Sequence, residues 1–281
     1  MFYNLNGTLI QSKYVSISAD NRGLNYGDGV FETMRYSFGK ICFWEDHYFR
    51  LMSSMRIVRM EIPMSFSPEF LQEEMKKTLE ANKLNEKAAR VKLLCIRKAG
   101  GKYTPYTHDI DYIITAEEIH ENEYKLNEVG LSIDLYKDFY VPKGLLSNIK
   151  SISAQLYTVA SIYRKENDFD ECILLNDDKH VVEAISSNLF MVKGEEVYTP
   201  PLASGCLKGI IRKKVIDILP SLNIAVKEEV FSPFELQKAD EVFLTNAING
   251  VRWVKNYRKK NYNSRISEQL IAKLNGLARI S

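Results

Sequence analysis

The chain has 281 residues, 45% of them apolar, enough material for one large domain or two smaller ones with cores of their own. Its 38 basic and 36 acidic residues leave a formal charge of only +2, which calls for neither nucleic acid nor a membrane surface; a small molecule or a protein partner is expected. No run approaches the length that spans a bilayer, and the first residues, MFYNLNGTLIQSKY, lack a basic segment followed by an apolar one, so a soluble, cytoplasmic protein is expected.

Asn6 and Gly7 sit between short apolar runs as a hairpin turn. The stretch NRGLNYGDGVFETMRYSFGK, residues 21–40, reads as glycine-rich turns followed by a second hairpin, VFETMRY and KICFW around SFG. From Trp44 the period changes: Trp44, Tyr48, Leu51, Met55 and Val58 share a helical face, and Pro63 is expected to end that helix. Ser67 and Pro68 open a second helix as N-cap and first residue. Two strands follow, RVKLLCIR and DYIITAE. A polar stretch then marks the expected organisation: a small N-terminal domain over 1–117, a linker over 118–130 and a larger domain over 131–281. Beyond it come the strand LSIDLY, a helix face at Leu156, Ala160 and Tyr163, the strands ECILLN and HVVEA, the hairpin LFMV/VYTP, and the loop SGCLKG leading into IIRKKVIDIL. The strand IAVKEEV, a helix opened by Ser232 and Pro233, the strand EVFLTN and a final helix after Ser267 complete an α+β protein with two lobes.

Cys42, Cys95, Cys172 and Cys206 are scattered and form no CxxC pair, so buried thiols are expected rather than a metal site or disulfides. The loop before IIRKKVIDIL could bind an anion, because the first N–H groups of a helix lack internal partners and carry partial positive charge, but taken alone it reads better as a plain loop-to-helix junction. Arg50 is a candidate bidentate donor to a phosphate, and a surface arginine reads equally well. Lys150 is flanked by Leu145, Leu146, Ile149 and Ile152, and reads either as a solvent-exposed lysine at a helix start or as an amine whose apolar surroundings disfavour the ammonium form and free it for Schiff-base chemistry. Glu183 ends the strand VVE and is either an exposed acid or a carboxylate held beneath a ligand.

Four segments in order resemble the class IV aminotransferases, the fold-type IV enzymes that use pyridoxal 5'-phosphate (PLP): RGLNYGDGVFETMR, HYFRL, VVEAISSNLFMV and VYTPPLASGCLKGIIR. The resemblance implies that Lys150 is the lysine joined to the cofactor and that Glu183 meets the pyridine nitrogen. It implies that Arg50 and the backbone at Gly209, Ile210 and Ile211 bind the phosphate. The loop TNAIN adds Asn246 and Ala247, the latter standing where branched-chain enzymes usually have a threonine. It further implies a homodimer.

Within the family, FETMR and TNA resemble the aminodeoxychorismate lyases, whereas RKAGGKY matches the lyase glycine stretch only in part. The Arg-x-His trap of the D-amino-acid aminotransferases has no match, and Gln155 stands where branched-chain enzymes place a tyrosine. Tyr26, Arg35, Arg90 and Arg97 are the substrate-side candidates; Arg90 and Arg97 are of opposite parity on one strand, so at most one should line a pocket. The leading expectation is amino transfer between a branched-chain or similar amino acid and a 2-oxo acid, with aminodeoxychorismate lyase as the alternative. A remote alternative is nucleic-acid binding through RWVKNYRKKNY, which also reads as a solvated strand face.

Overall fold

A computed structural model describes residues 1–281 and divides them into two compact units. The first holds residues 1–123, 149–154 and 281. Its strands are β1 (Phe2–Leu5), β2 (Thr8–Gln11), β3 (Gly29–Ser37), β4 (Lys40–Ile41), β5 (Ala89–Arg97) and β6 (Ile110–Glu118), and its helices are α1 (Arg22–Tyr26), α2 (Trp44–Ile57) and α3 (Pro68–Ala81). The strands form one sheet in the order β2-β1-β6-β5-β3-β4. Val30, Met34, Val91, Leu93, Cys95 and Ile114 join Leu51, Met55, Leu71 and Met75 of α2 and α3 in one core.

Two expectations change here. Residues 22–26 form a short helix, not a turn: Asn21 accepts the Leu24 N–H, and Gly27 ends it at a φ of +63°. Helix α2 stops at Ile57, well before Pro63, because Arg59 takes a left-handed φ of +57° and the Met60 N–H closes on the Met55 carbonyl; Arg97 then donates to the carbonyls of Val58 and Arg59 just past the end.

The second unit holds residues 124–148 and 155–280. Its strands are β7 (Leu131–Leu135), β8 (Glu171–Leu175), β9 (Val181–Ala184), β10 (Asn188–Lys193), β11 (Glu196–Thr199), β12 (Ala225–Glu228), β13 (Glu241–Asn246), β14 (Gly250–Tyr257) and β15 (Lys260–Asn261). They run in the order β12-β11-β10-β13-β14-β7-β8-β9 with β15 on β14, and an Ala184–Ser187 bridge joins the ends of β9 and β10. The helices are α4 (Leu145–Asn148), α5 (Gln155–Glu166), α6 (Ile210–Ile218), α7 (Pro233–Leu236) and α8 (Arg265–Ile280). Helix α8 starts two residues before Ser267, because buried Glu241 accepts the N–H groups of both Ile266 and Ser267.

The chain passes from the first unit to the second at Tyr124, within the stretch expected as a linker over 118–130. Residues 149–154 pack with the first unit, although the sequence places them inside the second.

Candidate active site

Lys150 is held by backbone pairing. Phe31 N–H donates to the Lys150 carbonyl at 2.9 Å and Ile152 N–H to the Gly29 carbonyl at 3.1 Å, so the segment lies along β3 as an extra short strand. Three glycines form its bed. A Cβ at Gly29 would stand 2.7 Å from Ile152 Cδ1, one at Gly23 3.1 Å from the same atom, and one at Gly27 3.2 Å from Ser153 Cβ. The Lys150 ammonium lies 4.6 Å from the centre of the Phe31 ring.

Phe31 belongs to the sheet face opposite α2 and α3. Cross-strand register builds that face in rows: Phe31, Leu94 and Ile113; then Thr33, Lys92 and Thr115; then Arg35, Arg90 and Glu117. The β5 and β6 members line a concavity of about 240 Å³. Lys92, absent from the sequence-based candidates, has its ammonium 4.9 Å from the centre of the same Phe31 ring; burial, and then the Arg90 charge, push its pKa below the ordinary lysine value. The missed signal is its parity with Arg90, two residues away on one strand face.

The four substrate candidates separate. Arg90 is exposed on this face. Arg97 lies on the other face, buried, with Nε on Asp28 at 2.9 Å and its remaining nitrogens on the Val58 and Arg59 carbonyls and His108. Arg35 is on the Phe31 face, yet its Nε donates to Ser37 and its Nη2 to the carbonyls of Glu121 and Glu123. Tyr26 ends α1, exposed, with its ring 5.8 Å from that of Tyr103. Asp28 ties Arg22 to Arg97.

Arg50 is not a surface arginine. Its Nε and Nη2 grip Glu32 at 2.8 and 2.5 Å, and His47 Nδ1 meets the same carboxylate at 2.6 Å. Burial alone would raise the Glu32 pKa, but Arg50 and His47 outweigh it and hold the carboxyl at about 2.

In the second unit Glu183 is buried on β9. Its Oε1 accepts from the Tyr157 hydroxyl at 2.8 Å and its Oε2 from the Leu207 N–H at 2.9 Å. Gly209 caps α6, where a Cβ would fall on Asn188 Oδ1, and the N–H groups of Ile210 and Ile211 open the helix. At the end of β13, Asn246 Oδ1 accepts the N–H groups of Ile248 and Asn249, while the Ala247 carbonyl accepts from Tyr124. Thr245, opposite Asn188 in register, keeps a buried hydroxyl without a partner. A buried carboxylate with two donors, a glycine-capped helix start and an orphaned hydroxyl fit a pyridine ring with a phosphate arm. The 252–262 segment offers no stacking platform: Tyr257 and Tyr262 are buried, and the Trp253 indole donates to Asn127.

Comparison with known proteins follows this chemistry. The profile described as amino-transferase class IV matches residues 29–257. A Methanocaldococcus jannaschii protein named as a branched-chain-amino-acid aminotransferase is 30% identical over 250 residues, covering 86% of this chain and 82% of its own. The aminodeoxychorismate lyase of Vibrio harveyi is 27% identical over 233 residues, covering 82% and 83%. The crystal structure of the branched-chain aminotransferase from Thermoproteus uzoniensis with norvaline superposes with a TM-score of 0.88 at 23% identity, covering 99% of this chain and 95% of that one. The chain belongs to the class IV aminotransferase family. Its fold is fold type IV, and it is a PLP-dependent enzyme.

Proposed function

We propose that this enzyme transfers an amino group between a branched-chain or similar amino acid and a 2-oxo acid. The observation that carries the reading is the Lys150 amine against the Phe31 ring, at the apolar row of the sheet face. An apolar substrate side chain finds Phe31, Leu94 and Ile113 in that row.

PLP, when bound, supplies an electron sink for the electrons left at the substrate Cα. Lys150 would carry the cofactor and, as a free amine, would take the substrate Cα proton as general base and deliver it to the C4′ carbon. Glu183 takes the pyridine nitrogen, its charge supported by Tyr157 and Leu207. Arg50, oriented by Glu32, and the backbone at Gly209, Ile210, Ile211, Asn246 and Ala247 take the phosphate. Tyr26 and Arg90 are the substrate-side groups carried forward, whereas the bonds of Arg35 and Arg97 support structural roles.

Aminodeoxychorismate lyase is the second reading, supported by Lys92, a half-buried cation lining a concavity that suits an anionic ring. The commitment of Arg97, its expected lyase group, to the end of α2 weighs against it. We also read the enzyme as a cytoplasmic homodimer without nucleic-acid partners; the exposed Phe49 and Met64 side chains are apolar surface that association would cover.

The test presents the PLP form with L- and D-amino acids and with aminodeoxychorismate. Conversion to the pyridoxamine form by leucine or valine is expected, and pyruvate release without that conversion would replace transferase by lyase. Lys150→Ala should lose the amine-titratable visible band; an unchanged spectrum removes Lys150 from its role.

A further inference from the structure

Glu183 is held by an element that sequence reasoning did not connect to it. Tyr157 lies in the first turn of α5, and its hydroxyl donates to Glu183 Oε1 on β9 at 2.8 Å. Its ring packs at the edge of the cluster formed by Tyr136, Ala160, Leu174 and Val182, which fixes where the hydroxyl points. The Leu207 N–H occupies the other carboxylate oxygen.

Burial, and after it the Glu183 charge, push the Tyr157 pKa far above the ordinary tyrosine value. The hydroxyl therefore stays protonated at any working pH and acts only as a donor toward the carboxylate.

We propose that Tyr157 is a positioning residue for Glu183, and that its hydrogen bond sets how completely a proton stays on the cofactor's ring nitrogen. The inference rests on the reading that Glu183 meets that nitrogen. A carboxylate that accepts a hydrogen bond is a weaker base, so a proton shared between carboxylate and pyridine lies closer to the ring. Without the hydroxyl, Glu183 becomes more basic and draws the proton toward itself. The ring then withdraws electrons less strongly, which slows the proton removal that Lys150 performs and leaves substrate binding largely as it was.

The test loads the protein with PLP labelled with nitrogen-15 at the ring and reads that resonance. In Tyr157→Phe it should move part of the way toward unprotonated pyridine, with kcat falling about tenfold and KM changing little. Glu183→Gln should move it the whole way. Fluorotyrosine at position 157, a stronger donor in nearly the same volume, should shift the resonance in the opposite direction from Tyr157→Phe, a sign that altered packing would not produce. A wild-type resonance in Tyr157→Phe, with Glu183→Gln displaced, overturns the role of Tyr157. A wild-type resonance in Glu183→Gln removes the assignment of Glu183 itself and this inference with it.

Discussion

Glu32 is the buried charge on which the first unit depends most directly. A carboxylate held at about 2 in the fold and near the ordinary value of 4.5 in the unfolded chain favours folding above that range and loses the advantage as pH falls through it. The difference corresponds to about 3 kcal/mol. His47 acts in the same direction: burial lowers its pKa below 6.5, despite the opposing hydrogen bond it makes to Glu32, so protonation of the unfolded chain begins to destabilise the fold below that pH. Urea unfolding from pH 7 down to pH 2 should show stability falling in these two windows. Glu32→Gln should flatten the lower one while costing about 3–5 kcal/mol at pH 7, because the Arg50 charge is left without its carboxylate. Undiminished stability of that variant at pH 7 would remove Glu32 from this role. Motifs singled out Lys150 and Glu183, which the structure places against β3 and buried on β9. What the sequence concealed at Arg35 and Arg97 is that each also donates to main-chain carbonyls distant in sequence, and no side-chain pattern announces a carbonyl.

Elements with local causes were the readable ones. Ser67 caps α3 through the Phe70 N–H, and the Ser232 capping box opens α7, both from signals within four residues. Helix α1 was missed because five residues are too few for a period, and the end of α2 because a left-handed Arg59, which its residue type does not announce, turns the chain before Pro63. At α6 the readable loop concealed a steric condition. Gly209→Ala would drive a methyl into Asn188, whose Nδ2 donates to the Leu207 carbonyl beside the N–H that Glu183 accepts. We expect it to cost about 1–3 kcal/mol. Affinity for PLP should weaken as well, measured by titration of the apoenzyme; unchanged affinity would detach this helix start from the phosphate.

At the scale of the whole molecule, cofactor and folding should be linked. A ligand that binds only the folded chain stabilises it by about 2.7 kcal/mol at a hundred times its dissociation constant. Excess PLP should therefore raise the calorimetric midpoint by several degrees, and by much less in Lys150→Ala, which loses the covalent attachment; equal shifts would show that the lysine contributes little to retention. The two-lobed architecture was legible from the alternation of strands and helices, but the allegiance of Ile149–Ala154 was not. That segment lies between α4 and α5, both of the second unit, and only main-chain bonds to Gly29 and Phe31 reveal where it belongs.

Those bonds, and the glycines beneath them, bear on how such an enzyme can be inherited or recombined. Lys150 is encoded in the second half of the gene, while the seat of its segment is encoded near the start, at Gly23, Gly27 and Gly29. A chimaera joined anywhere between the two inherits a lysine from one parent and a bed from the other. Such a join preserves function only where both parents agree on glycine in the bed and on small or flexible groups at 151–153. The seat of Lys150 is therefore encoded across the whole span from Gly23 to Ser153, and a join inside that span splits lysine and bed between two parents.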